Sequence, residues 1–314
     1  MPPATAQPDA PAAPGSLLDI ASLGPEGVRR LLGEAQGYDE PGTPPPPTGQ
    51  TVANLFFEDS TRTRVSFTVA AQRVGAAAID LTAAGSSVSK GETLEDTART
   101  VEAMGVSALV VRTQEPGGAA MIARAVQIPV LNAGDGRHAH PTQGLLDAYT
   151  VAEAHGRLGS FDLSGLRVLI AGDIAHSRVA RSDIAAMTML GASVTVAGPP
   201  ALAPASLRTL GCDVTEDFDA ALAEADAVQM LRVQRERGAQ TGSLRSFTAR
   251  YQLHSVRAAA MKSGAIVMHP GPMNRGVEIE GDVADSPRSR ITRQVAVGVM
   301  VRAAVLRRAL GERP

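Results

Sequence analysis

Short apolar runs alternate along this chain with longer stretches whose apolar positions recur every three or four residues. The first runs are TVANLFF (51–57), AAIDL (77–81), VSALVVR (106–112) and PVLNAG (129–134). Apolar runs of this length, bounded by turn residues, predict strands buried on both faces. The stretches between them have helical spacing. From Thr142 to about His155, Leu145, Leu146, Tyr149 and Ala152 share one face of a longer helix. The pattern then restarts with LRVLIAG (166–172), a helix at SRVARSDIAAMTMLG and a strand at ASVTVAG (192–198). Further strands are expected at CDVTED, AVQML (227–231) and AIVMHPG (265–271). A long amphipathic helix, from about Ser289 to Leu310, closes the chain. Strand–helix alternation of this kind predicts an α/β fold of two domains. Each is a mainly parallel sheet flanked by helices, and the helix over 142–155 joins them. The proline run PGTPPPPTG (41–49) reads as a stiff connector.

Length agrees with that division, since 314 residues make about two domains of typical size. Lys and Arg number 30 and Asp and Glu 32, so the formal charge is −2. A near-neutral balance argues against a dedicated nucleic-acid or membrane-surface binder. Aromatics are 3 %, with no Trp, which disfavours base-stacking platforms as well. The single cysteine, Cys212, supplies neither an intrachain disulfide nor a thiolate zinc site, and it reads as a small core residue. The first residues, MPPATAQPDAPAAPGS, carry no basic or apolar signal region, and five prolines precede Ser16. They are expected to form a disordered leader. No apolar run reaches the roughly 20 residues of a spanning helix, so the expected location is the cytoplasm.

Ligands of open α/β sheets sit beyond the carboxyl ends of the strands, so the residues after each strand carry the chemistry. After TVANLFF comes Glu58-Asp59-Ser60-Thr61-Arg62-Thr63-Arg64. Three hydroxyls and two guanidiniums stand where a helix begins, and helix N-termini already favour anions. A lone Ser-Thr pair there would read as a helix cap. Five such residues together point to a phosphate site. Arg112 ends another strand, and His140-Pro141-Thr142-Gln143 follows a third. Each alone reads as a surface or structural residue and gains weight from sharing one sheet end. His138 near His140 invites a metal, but no third ligand has plausible spacing. The loop Gly85-Ser86-Ser87-Val88-Ser89-Lys90-Gly91-Glu92-Thr93 reads equally well as a solvated loop or as a lid bringing one cation over an anion.

The second half has its own set. Gly172-Asp173-Ile174-Ala175-His176-Ser177-Arg178 follows a strand and opens a helix, but it lacks G-x-G-x-x-G, so a dinucleotide is disfavoured. Arg232-Val233-Gln234 and His269-Pro270-Gly271-Pro272 follow two further strands. Arginines from different strand ends suit a ligand with more than one carboxylate.

Five of these motifs occur together and in order: Ser60-Thr61-Arg62-Thr63-Arg64, Lys90-Gly91-Glu92-Thr93, His140-Pro141-Thr142-Gln143, Arg232-Val233-Gln234 and His269-Pro270-Gly271-Pro272. In that order they resemble the aspartate/ornithine carbamoyltransferase family over about residues 50–305. The first and third motifs mark the family at large, and the other three are similar to its aspartate branch. The resemblance implies transfer of the carbamoyl group from carbamoyl phosphate to L-aspartate, in pyrimidine synthesis. It implies a carbamoyl-phosphate-binding domain of 17–147 plus 291–314 and an aspartate-binding domain of 148–290, after a leader of 1–16.

It also implies roles. Ser60, Thr61, Arg62 and Thr63 would hold the phosphate, with Ser86. Thr63, Arg112 and His140 would contact the carbamoyl oxygen, and Gln143 the carbamoyl nitrogen. Arg178, Arg232 and Gln234 would bind aspartate, with Lys90 and the Pro270–Gly271 backbone. Thr63, Arg112, His140 and Lys90 would be catalytic. Ser86 and Lys90 would come from a neighbouring subunit of a homotrimer, which could pair with regulatory chains or dihydroorotase. No metal and no organic cofactor are required. The alternatives are a carbamoyltransferase for another amine such as ornithine, or a non-catalytic homologue. The chain departs from the family pattern at Asp59, where Pro or Ala is frequent, and at Asp183 and Val297, where Asn is frequent. Asp59 is expected to point away from the phosphate.

Overall fold

The computed structural model describes residues 12–40, 45–82, 91–233 and 244–311. The chain divides into two compact units, one of Met1–Leu23, Arg30–Thr142 and Gly298–Pro314, the other of Gly24–Arg29 and Gln143–Val297. Of the expected leader, residues 1–11 lie outside the described residues. Ser16 and Leu17 are already tied into the first unit. The Ser16 hydroxyl accepts from Val130 N–H at 3.0 Å, and Leu17 N–H donates to Val130 O.

An early helix, α1 (Gly24–Gln36), went unassigned in the sequence pattern, although Val28, Leu31, Leu32 and Ala35 recur at helical spacing and are buried. Then come β1 (Thr51–Phe56), α2 (Thr61–Arg73), β2 (Ala77–Thr82), α3 (Leu94–Ala103), β3 (Ala108–Thr113), α4 (Gly118–Ala125) and β4 (Val130–Asp135). The strands form a four-stranded sheet in the order β2-β1-β3-β4, every pairing parallel. Residues 52–56 of β1 and 130–135 of β4 are buried throughout, as strands covered on both faces should be. Leu55, Leu109, Val111, Ile122 and Val130 belong to the core under α3 and α4.

The chain enters the second unit within α5 (Pro141–Ala154). There follow β5 (Arg167–Ala171), α6 (Arg178–Met189), β6 (Ser193–Ala197), β7 (Asp213–Thr215), α7 (Phe218–Glu224), β8 (Ala227–Met230), α8 (Leu244–Tyr251), α9 (Ser255–Ala259), β9 (Ile266–Met268), α10 (Gly281–Ala284) and α11 (Ile291–Ala309). The second sheet has five parallel strands in the order β7-β6-β5-β8-β9. Its core on one face is built from Leu169, Phe218, Val228, Met230, Phe247 and Tyr251, among others. Cys212 is buried, and its thiol donates to Leu207 O at 3.3 Å. Burial pushes that thiol up, as befits a core residue.

Strand order reverses once in each sheet. In the first, the chain steps from β1 to β2 on one side and returns to β3 on the other. In the second, it runs from β5 through β6 to β7 and returns to β8. Loops leaving the carboxyl ends on either side of such a reversal diverge and leave a crevice, which is where open α/β sheets take ligands. Both reversals fall between strands that carry predicted site residues.

Candidate active site

In the first unit, the β1–α2 junction holds the phosphate-type motif. Ser60 is the N-cap of α2, in an extended conformation, and its side chain makes no capping hydrogen bond. The hydroxyl is therefore not spent on the helix end, and the first-turn N–H groups remain available to an anion. Thr61 and Arg62 are exposed, while Thr63 is buried. Asp59 is exposed. Arg64 pairs with Asp80 at 3.6 Å.

Arg112 lies at the end of β3, across the reversal from β1. Its guanidinium is held from two sides. Nη1 donates to Ala133 O at 3.2 Å and Nη2 to Glu58 Oε1 at 3.1 Å. The sequence reading gave Glu58 no role. It is an ion-pair partner that fixes Arg112 within a mostly buried setting, where charged groups persist only when paired.

His140 is buried just past β4. The turn that presents it is organised by Asp135, also buried. One Asp135 oxygen accepts from Ala139 N–H at 2.9 Å and from Asn132 Nδ2 at 3.0 Å. The other accepts from Gly117 N–H at 2.8 Å and from His138 Nδ1 at 3.0 Å. His138 thus serves the turn. Among the described residues no group of three or more His, Cys, Asp or Glu is placed to hold a metal ion.

In the second unit, Gly172 closes β5 at φ +133°, and a Cβ there would lie 2.4 Å from Leu231 O. The absence of a side chain lets the ends of β5 and β8 approach, which is where the two arginines sit. Asp173 is buried and accepts from His176 Nδ1 at 2.8 Å, shaping the loop before α6. Ser177 caps α6 by accepting from Ala180 N–H at 3.1 Å. Arg178 is then the first residue of the helix, half-buried. Arg232 follows β8 and is also half-buried.

The His269-Pro270-Gly271-Pro272 turn follows β9. His269 is its internal staple. Nδ1 accepts from Gly271 N–H at 2.9 Å, so Nε2 carries the proton and donates to buried Glu278 at 3.2 Å. The ring orders the turn that carries Pro270 and Gly271.

Gln143 opens the second unit on α5 and is buried against Asp147. Asp147 and Asp183 are both fully buried, and Gln229 Nε2 donates to both, at 2.8 Å to Asp147 and 3.3 Å to Asp183. Burial pushes Asp183 well above the ordinary carboxylate range, and the neighbouring charge of Asp147 adds to it. Burial also raises Asp147, to about 6, against the pull of hydrogen bonds from Gln294, Asp183, Gln143 and Gln229.

Ser60, Thr61, Arg62, Thr63, Arg112 and His140 thus gather at the carboxyl end of the first sheet, and Arg178, Arg232, Pro270 and Gly271 at that of the second. Ser86, Lys90 and Gln234 lie outside the described residues.

Residues 16–153 match the family described as aspartate/ornithine carbamoyltransferase, carbamoyl-P binding domain, and residues 164–308 its Asp/Orn binding domain. An aspartate carbamoyltransferase catalytic subunit from Thermobifida fusca is 54 % identical over 265 residues, 84 % of this chain and 83 % of the relative. Among solved structures, aspartate transcarbamoylase from Trypanosoma cruzi in complex with carbamoyl phosphate and aspartate is similar with TM-score 0.81 at 29 % identity, covering 96 % of this chain and 98 % of that one. Ornithine carbamoyltransferase from Pyrococcus furiosus is similar with TM-score 0.83 at 28 % identity, covering 97 % and 100 %. The architecture is therefore common to both acceptor types.

Proposed function

The chain belongs to the aspartate/ornithine carbamoyltransferase family, and from that premise we propose that it transfers the carbamoyl group of carbamoyl phosphate to the amine of L-aspartate. The products are N-carbamoyl-L-aspartate and phosphate, in an early step of pyrimidine synthesis. One observation carries the proposal. The strand-order reversal of one sheet holds a hydroxyl- and guanidinium-rich helix start, and that of the other holds two arginines. The first set suits a phosphate and the second a dicarboxylate.

The chemistry divides accordingly. Ser60, Thr61, Arg62 and Thr63, with the first turn of α2, hold the phosphate. Thr63, Arg112 and His140 aim donors at the carbamoyl oxygen. The aspartate amine, once deprotonated, is already a nucleophile, so no enzyme nucleophile is needed. Its attack forms the new C–N bond and pushes negative charge onto that oxygen. Fixed donors stabilise the charge where it develops, and loss of one costs on the order of 100-fold in rate. The C–O bond to phosphate then breaks, and the departing phosphate takes the amine proton. Arg178, Arg232, Gln234 and Lys90, with the backbone at Pro270 and Gly271, hold the two aspartate carboxylates. Orienting two anionic substrates side by side supplies much of the remaining barrier reduction. We place this reaction in the cytoplasm and in a homotrimer whose neighbouring subunits contribute Ser86 and Lys90. The edge position of β2, the strand just before that segment, supports such an arrangement.

The experiment that tests the assignment separates the two halves. Arg62→Ala is expected to cut kcat/KM for carbamoyl phosphate by about 100-fold or more. Arg232→Ala is expected to raise the KM for aspartate by about 10-fold or more, with carbamoyl phosphate binding retained. Calorimetric titration of carbamoyl phosphate into each variant checks the split, and an unaffected aspartate KM in Arg232→Ala would refute it.

A further inference from the structure

Four elements send polar side chains into one buried cluster in the second unit: Asp147 from α5, Asp183 from α6, Gln229 from β8 and Gln294 from α11. Asp147 accepts from three amides. Gln143 Nε2 lies 3.1 Å from each of its oxygens, Gln229 Nε2 2.8 Å from Oδ2 and Gln294 Nε2 2.7 Å from Oδ1. A carboxylate has acceptors only, so it dictates which end of each amide turns toward it.

We propose that Asp147 is a positioning residue for carbamoyl transfer: it locks the Gln143 amide with Nε2 inward, leaving Oε1 as the acceptor for an N–H of the carbamoyl amine. The inference rests on the role given to Gln143 above. The two ends of an amide have nearly equal shape and opposite polarity. Turned the other way, Gln143 would set N–H against N–H and leave both unsatisfied. The hub works the same way on Gln294. With Nε2 on Asp147, the Gln294 Oε1 accepts from His269 N–H at 2.9 Å. Its orientation therefore also reaches the turn that carries Pro270 and Gly271. Asp183, buried in the same cluster, accepts from the Gln229 Nε2 that also reaches Asp147.

Asp147→Asn tests this. The variant is nearly isosteric, and the cluster keeps the Asp183 carboxyl. The readouts are kcat/KM for carbamoyl phosphate and competitive inhibition by acetyl phosphate, in which a methyl replaces the amine. Oriented correctly, Gln143 favours only the carbamoyl compound. Asp147→Asn is expected to lower kcat/KM for carbamoyl phosphate about 10- to 100-fold. The acetyl phosphate inhibition constant should move less than about threefold, and adding Asp147→Asn to Gln143→Ala should cost less than about threefold more. Equal weakening of both ligands, full additivity in the double variant or unchanged selectivity would overturn the inference. If Asp147→Asn does not fold, the same readouts on Asp147→Ser decide it. A wild-type protein that makes no N-carbamoyl-aspartate overturns the functional reading, and this inference with it.

Discussion

At Asp183 the chain places a carboxyl where an amide would carry no titration cost. Its folded-state pKa is raised by burial and by Asp147, and Asp147 itself is raised to about 6. The native state therefore keeps protons that the unfolded chain releases once pH passes the ordinary Asp value of about 4. The stability this pair contributes is complete below that value. It is lost as pH climbs toward the folded-state values, because the native state then binds more protons than the unfolded one. Asp183→Asn keeps the shape and removes the titrating carboxyl. Its thermal midpoint should exceed the wild type by several degrees at pH 8, with the gap closing toward pH 4. Scanning calorimetry across that range checks this, and a gap independent of pH would contradict it. Val297, the other interior position at which the resemblance implies Asn, is buried and apolar.

Among the elements, the strand ends decide what the molecule can hold, and Gly172 is the most demanding of them. A side chain there meets Leu231 O and must also adopt φ +133°. Gly172→Ala is expected to cost about 2 kcal/mol or more, because strain of that kind is worth about 1–3 kcal/mol and the clash adds to it. Urea unfolding measures this, and a midpoint shift near zero would show that the strand ends can part freely. The strands themselves were legible because each apolar run stops abruptly at polar residues. Arg112, His140, Arg178 and Arg232 stand after those strands, and only the resemblance gave them roles. Their supports were given none. Glu58 was seen in its motif yet assigned nothing, since only the fold brings it to Arg112, 54 positions away. Gln294 meets Asp147 from 147 positions away. Asp135 and Asp173 act locally, and each stands three residues before a histidine it binds, a spacing that could have marked them. For α1 the signal was present in its helical spacing, with Pro25 in the first turn.

On the scale of the whole molecule, topology does not select the acceptor, because both branches of the family share it. Under the proposed function, selection falls to the residues after β5, β8 and β9, and to Lys90 and Gln234. If Lys90 serves a neighbouring subunit, activity becomes a property of the assembly. Mixing Arg62→Ala chains with Lys90→Ala chains should then restore part of the activity, because hybrid trimers contain sites with both residues intact. Turnover of the mixture after confirmed subunit exchange measures this, and no recovery would argue for sites built from one chain.

The carbamoyl acceptor proposed for this chain carries two carboxylates. That proposal is tested most directly by following ureido-product formation from carbamoyl phosphate with L-aspartate or L-ornithine as acceptor. The arginines at 178 and 232 predict turnover with aspartate and none above background with ornithine. Turnover with ornithine alone, or silence with both from correctly folded protein, would contradict it.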